Sequence, residues 1–144
     1  MKITYHYFDS KTQEREARAA MKIARHILPS RLANVRVMRV EPEDESDVAG
    51  SCSDPSGREA EIHLYNKIFE KTPAEQALVV LHECVHIEIA PITAFLEGVI
   101  DLFREDNPKL YESLTTQHTA AMEAVVEDLT RTVGKIMRIE DDPA

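Results

Sequence analysis

The sequence predicts an α+β fold in a single domain spanning residues 1–144. The N-terminal half contains β-prone segments and one helical segment, and its residues 59–65 alternate strictly between polar and apolar. The rest of the chain has a helical pattern. With 144 residues and 43% hydrophobic content, the chain can bury one core. A helix and a three- to four-stranded sheet followed by further helices is the order of an α+β domain.

The first thirty residues predict a strand and a helix. Residues 2–8 are rich in β-branched and aromatic residues, which favour a strand. Asp9 or Ser10 can cap the helix that follows. That helix should run to about Leu28, because Pro29 cannot continue it.

The next segment predicts three short elements of a sheet. Val35, Val37 and Val40 indicate a second strand, and the acidic residues 41–47 indicate a solvated loop. Residues 47–53 and 58–65 flank an Asp-Pro-Ser-Gly sequence at 54–57, which is typical of a turn with proline at its second position. These two segments therefore predict a hairpin.

The second half of the chain predicts three helices. Thr72 can cap the first, with a proline at the first helical position and a glutamate at the capping-box position. Pro91 should end or kink this helix, so a separate short helix is expected over residues 93–104. Asn107 and the proline after it open a long helix that should extend to about Met137.

Residues 82–86, His-Glu-Cys-Val-His, form an H-E-x-x-H motif inside an apolar helical stretch. Positions four apart lie on one face of a helix, so the imidazoles of His82 and His86 can bind one metal ion. Glu83 can reach the open side of that metal and act as general base toward a water molecule. The motif therefore supplies two ligands and one catalytic carboxylate.

Composition limits the possible partners. A net charge of −9 argues against general affinity for nucleic acid and for anionic membranes. Neither a signal peptide nor an apolar run of membrane-spanning length is apparent. The two cysteines, Cys52 and Cys84, form no C-x-x-C pair, which suits a reducing compartment. We therefore expect a cytoplasmic location.

A catalytic zinc site needs a third protein ligand, and the last helix offers two carboxylates four residues apart. Glu123 and Glu127 follow the His-Glu-x-x-His motif in the order of the E-x-x-x-D element of gluzincins, the thermolysin-like zincins. The chain thus resembles a minimal gluzincin. The resemblance implies a zincin-like fold with one Zn²⁺ bound by His82, His86 and Glu123, and Glu127 (or Asp128) orienting a ligating histidine.

The helical wheel leaves a second assignment open. Glu123 and Glu127 lie nearly opposite an apolar stripe formed by Leu110, Leu114, Ala121, Val125, Leu129 and Ile136, so both could be solvated acids. His118 lies within that stripe. It could be a core histidine, an oxyanion donor, or the third ligand, as in SprT-like proteases.

Two further alternatives remain open. Cys52 lies upstream of the motif and loosely resembles the cysteine ligand of peptide deformylases. The chain could also be a binding or structural module whose metal site is non-catalytic or empty. Cys84 should point away from the metal and pack in the core, because it is two residues from His82 on the helix.

The expected activity is hydrolysis of a peptide bond in a peptide or protein substrate. Glu83 would take a proton from water and return it to the leaving nitrogen. Tyr65, Tyr111 and His118 are candidate donors to the oxyanion. The strand at residues 59–65 is expected to form the sheet edge along which a substrate peptide adds.

Overall fold

The chain folds around a four-stranded mixed sheet in the order β1-β2-β4-β3, as a computed structural model that describes residues 1–54 and 56–139 shows. The strands are β1 (Lys2–His6), β2 (Asn34–Arg39), β3 (Ala49–Ser53) and β4 (Glu59–Leu64). Strands β1, β2 and β4 are parallel, and β3 pairs antiparallel with β4. The predicted α+β class is confirmed, with one N-terminal helix and two C-terminal helices.

Helix α1 (Lys11–Ala24) connects the parallel strands β1 and β2. Strand β1 ends where Tyr7 takes a left-handed φ of 65°, two residues earlier than expected. Of the two possible caps, the Ser10 side chain accepts the bond from the Gln13 backbone N–H. A short 3-10 helix, Arg25–Ile27, continues α1 toward Pro29.

Strands β3 and β4 form the predicted hairpin. In its turn, the Gly57 N–H donates to the Asp54 carbonyl, and Gly57 has the left-handed φ of 68° that favours glycine. The Asp54 carboxylate accepts the backbone N–H groups of Arg58 and Glu59, which holds the turn closed. The expected turn proline, Pro55, lies outside the described residues.

The hydrophobic core lies between one face of the sheet and helices α1 and α2. Helix α2 spans Pro73–Asp101, and Thr72 forms the predicted capping box with Glu75. Alternation along β4 turns Ala60, Ile62 and Leu64 into the core and leaves Glu61 and His63 on the other face. Fully buried side chains join the two layers: Met21, Val35, Val37, Ile62, Leu64, Val80, Leu81 and Cys84.

Helix α2 passes through Pro91 without a break, so the predicted separate helix at 93–104 is wrong. Proline has no N–H to donate to the carbonyl four residues earlier, that of Ile87. Arg31 replaces this donor, since its Nη2 lies 2.8 Å from the Ile87 carbonyl oxygen. A side chain from the segment before β2 thus satisfies the carbonyl that the proline leaves free.

Helix α3 (Pro108–Ile136) returns antiparallel to α2 and is capped by Asn107, as expected. The face that packs on α2 carries Val126, Thr130 and Gly134, and a Cβ on Gly134 would come within 2.8 Å of Leu78. The apolar stripe expected to be buried is largely exposed, as Val125, Leu129 and Ile136 show. Helix α3 therefore uses a neighbouring, less apolar face for packing.

Several large apolar side chains on α2 are exposed, among them Ile92, Phe95 and Val99. By length and composition alone, α2 could cross a membrane. This is weak evidence, because the core helix of a soluble protein meets the same criterion. One third of the window is buried here. The expected absence of a membrane span and the cytoplasmic location stay predictions.

Candidate metal centre

The two histidines of the motif face one point in space. Helix α2 places His82 and His86 one turn apart, and their Nε2 atoms lie 3.2 Å from each other. The rings are inclined by 71° with centroids 4.9 Å apart, so both Nε2 atoms converge while the rings stay edge to face. Their side chains are 26% and 29% exposed, which leaves the convergence point open to solvent on one side.

Helix α3 brings Glu123 to the same point. One carboxylate oxygen lies 3.1 Å from the Nε2 of His86, and the other lies 3.6 Å from the Nε2 of His82. The length of the helices explains this meeting. His86 lies 15 residues before Asp101, the end of α2, and Glu123 lies 15 residues after Pro108, the start of α3. We call these two segments, residues 86–101 and 108–123, the arms of the helical pair. Each is about 22 Å long, and because they run antiparallel, Glu123 returns to the level of His86.

The nearest polar atoms of the three side chains have spacings close to those of a zinc site. With metal–nitrogen and metal–oxygen distances of about 2.0 to 2.1 Å, neighbouring donors of a tetrahedral site lie about 3.3 Å apart. Here the two Nε2 atoms lie 3.2 Å apart, Oε1 of Glu123 lies 3.1 Å from the Nε2 of His86, and Oε2 of Glu123 lies 3.6 Å from the Nε2 of His82. Protons cannot occupy all three gaps, because each imidazole Nε2 carries at most one. A single cation satisfies all three lone pairs, so His82, His86 and Glu123 fit a metal ion.

Glu83 is held at this centre by a residue that the sequence did not reveal. Its side chain is buried, with the residue 7% exposed, and the Ser51 hydroxyl donates to its Oε2 at 2.7 Å. Ser51 belongs to β3, which packs against α2. One oxygen of Glu83 is thus fixed by the sheet, and the carboxylate borders the same cleft as the metal-binding residues.

A cleft of about 690 Å³ runs between strand β3 and helix α2. Residues 49–53 line it from the sheet, His82, Glu83, His86 and Glu97 line it from α2, and Glu123 lines it from α3. Strand β3 is the edge of the sheet beside the cleft, and β4 is an inner strand between β2 and β3. The prediction that residues 59–65 form the edge is therefore wrong. The strand order decides this, and it cannot be read from the pattern of one strand.

The other carboxylates of α3 lie outside this cluster. Glu127 is exposed and makes no hydrogen bond or ion pair to His82 or His86 within residues 1–54 and 56–139. Asp128 forms an exposed ion pair with Arg131 at 3.3 Å. The orienting role expected for Glu127 or Asp128 stays a prediction.

The remaining polar candidates lie at other places. The side chain of His118 is 9% exposed, and its Nε2 lies 3.8 Å from the Glu97 carboxylate, which is too long for a hydrogen bond. The Tyr111 hydroxyl accepts a bond from Arg104 near the tip of the helical pair. Tyr65 places its hydroxyl over Gly50. None of these side chains belongs to the wall of the cleft as described above.

The two cysteines also lie apart from the three donor atoms. Cys84 is fully buried. Its burial, and to a smaller extent the negative charge of Glu83, raises the pKa of the thiol, so Cys84 is a neutral core residue. The side chain of Cys52 meets Glu61 and His63 on the other face of the sheet. Partial burial and the charge of Glu61 raise the pKa of the Cys52 thiol. Cys52 is therefore not gathered with His82 and His86, as a deformylase-like site would require.

Comparison of the chain with protein-family models, with curated proteins and with solved structures finds no match. The chemistry of the centre consequently rests on its own residues.

Proposed function

We propose that this protein is a zinc-dependent peptidase of the zincin type, with one zinc ion bound by His82, His86 and Glu123 and with Glu83 as general base. The observation that carries the proposal is the convergence of three ligand side chains, with nearest polar atoms 3.1 to 3.6 Å apart, beside a buried carboxylate in one open cleft. The order of the ligands along the chain resembles that of gluzincins.

A zinc ion bound there would act as a Lewis acid and lower the pKa of a water molecule to about 7. Glu83 accepts the proton of the attacking water and passes it to the nitrogen of the leaving group. Because Ser51 fixes Oε2 of Glu83, Oε1 is the oxygen left to handle the proton. Ser51 is thus a positioning residue for the general base.

The edge strand β3 supports a peptide as the substrate class. Within the described residues, β3 pairs with β4 on one side only, so its other edge offers backbone N–H and C=O groups to the cleft. An extended peptide can add to such an edge as a further strand. That placement would bring a peptide carbonyl between Ser51 and the three donor atoms.

The decisive experiment compares Glu83→Gln with Glu88→Gln in a peptide-library assay, with elemental analysis of zinc. Glu83→Gln should keep its zinc and lose activity by about 10²- to 10⁴-fold, because it removes the general base and no ligand. Glu88 is an exposed glutamate on the same helix, so its variant should keep full activity.

Two outcomes would count against the proposal. A fully active Glu83→Gln protein would remove the general base from the mechanism. A zinc-loaded wild type that cleaves nothing in the library, with or without chelator, would favour a module that uses the metal for stability alone.

A further inference from the structure

A second group of metal-ligand side chains lies on the face of the sheet that points away from the helices. Cys52 and Glu61 are register partners on β3 and β4, and His63 lies two residues further along β4. Successive residues of a strand alternate between faces, so Cys52, Glu61 and His63 share one face while Ser51 and Ile62 share the other. Potential ligand atoms of the three side chains all lie within 4.8 Å of one another.

The carboxylate of Glu61 is the centre of this group. Its Oε2 lies 2.9 Å from the Nε2 of His63 and 3.9 Å from the Sγ of Cys52. Its other oxygen is bound by Arg36 of strand β2, which fixes the orientation of the carboxylate. Neighbouring donors of a tetrahedral zinc site with one sulfur lie about 3.3 to 3.6 Å apart. Each of these two separations differs from that range by less than half an ångström, which small side-chain rotations can supply.

Solvent reaches this group of side chains. The residue opposite His63 on β3 is Gly50, and the Tyr65 hydroxyl lies over this glycine. Glu61 and His63 are 26% and 28% exposed, so water can complete the coordination. Thiolate, imidazole and carboxylate together are typical ligands of Zn²⁺, and the sulfur favours softer ions over Mg²⁺ or Ca²⁺.

We propose that Cys52, Glu61 and His63 form a second, thiolate-containing site for a zinc-class divalent cation, which ties the edge strand β3 to β4. The site is independent of the proposed peptidase activity, because it shares no residue with the centre on α2. It acts on that centre only through β3, where Cys52 follows Ser51 directly.

Cobalt substitution distinguishes the two sites, because only the second contains sulfur. Metal-free protein titrated with Co²⁺ should bind two ions per chain and develop a sulfur-to-cobalt charge-transfer band in the near ultraviolet. Cys52→Ser should bind one ion and lose the band. The matched control is Cys84→Ala, which should keep both ions and the band, since Cys84 is buried in the hydrophobic core, which the opposite face of the sheet borders.

The same titration separates failure of this proposal from failure of the proposed function. His82→Ala should lose one cobalt ion and keep the charge-transfer band. If the wild type shows the charge-transfer band but binds only one cobalt ion, and His82→Ala loses none, the sheet site would be supported and the peptidase centre would not. Absence of the band in the wild type, its persistence in Cys52→Ser, or its loss in Cys84→Ala would overturn the sheet site.

Alkylation provides a measurement that does not depend on absorbance. Cys52 is exposed and Cys84 is buried, so iodoacetamide should modify Cys52 selectively in the metal-free protein. Saturating Co²⁺ should slow this reaction at least about tenfold, because the thiol becomes a ligand. His63→Ala should remove most of that protection. Equal protection in His63→Ala and wild type would exclude His63 as a ligand.

Discussion

The sheet layer and the outer part of the helical pair differ in how they are held. Residues 1–87 contain almost the whole core, with Met21, Ile62 and Leu81 fully buried. The outer hairpin, residues 88–125, contains no buried residue at all. The metal centre lies where the two meet, and it takes His82 and His86 from the first and Glu123 from the second. Two ligands are therefore fixed by a packed core, and the third depends on the path of two helices.

The largest expected effect tests this difference in packing directly. Ile62→Ala should lower the free energy of unfolding by about 2 to 5 kcal/mol, because it leaves a cavity in the core. Phe95→Ala in the outer hairpin should change it by less than about 0.5 kcal/mol, since Phe95 is 70% exposed. Urea denaturation of both variants measures the contrast. Equal losses would mean that the outer hairpin carries a core of its own.

The next effect concerns the ligand that the outer hairpin supplies. Glu123→Ala should weaken zinc binding by about 100-fold, at least as much as loss of an outer-shell partner. Glu127→Ala is the matched control, one turn further along α3 and without contact to either imidazole, and should change zinc affinity little. Competition with a chromophoric chelator gives both affinities. Unchanged affinity in Glu123→Ala would remove Glu123 from the site and direct attention to His118.

A smaller effect is expected at the hydrogen bond from Arg31 to the Ile87 carbonyl, where the two regions meet. Arg31→Met should cost about 1.5 kcal/mol, because the Ile87 carbonyl loses its donor. In a Pro91→Ala background, the new N–H at position 91 can serve that carbonyl, so the same Arg31 substitution should cost about 1 kcal/mol less. The double-mutant cycle is measured by urea denaturation. Additive losses would show that Arg31 does not substitute for the missing helical donor.

The smallest effect is expected at the edge strand. Ser51→Ala should reduce kcat about tenfold with KM and zinc content unchanged, because it frees the carboxylate of Glu83 without removing it. Ser53→Ala is the control, on the same strand and beside the same cleft. A change in KM with constant kcat would instead assign Ser51 to substrate binding.

Local signals in the sequence predicted much of this molecule. The caps at Ser10, Thr72 and Asn107 mark the starts of α1, α2 and α3, because each cap is a bond between residues close in the chain. The convergence of His82 and His86 is equally local, since it follows from the helical repeat.

Features that depend on distant residues were not predictable in the same way. Pro91 indicated a break, and only Arg31, a residue 56 positions before Ile87, explains why α2 continues. The role of Ser51 depends on strand order, which places β3 rather than β4 at the edge. The assignment of Glu123 rested on the resemblance to gluzincins, because the helical wheel placed this residue opposite the apolar stripe and so predicted a solvated acid. In the structure much of that stripe faces solvent instead.

The equal lengths of the two arms beyond the imidazoles limit how this chain can change. Removing the same number of turns from the end of α2 and from the start of α3 would leave Glu123 opposite His86. Trimming one arm alone would carry the carboxylate about 5.4 Å past the imidazoles for each turn lost. Selection on the centre therefore acts on the difference between the two arm lengths, and their sum is free to drift.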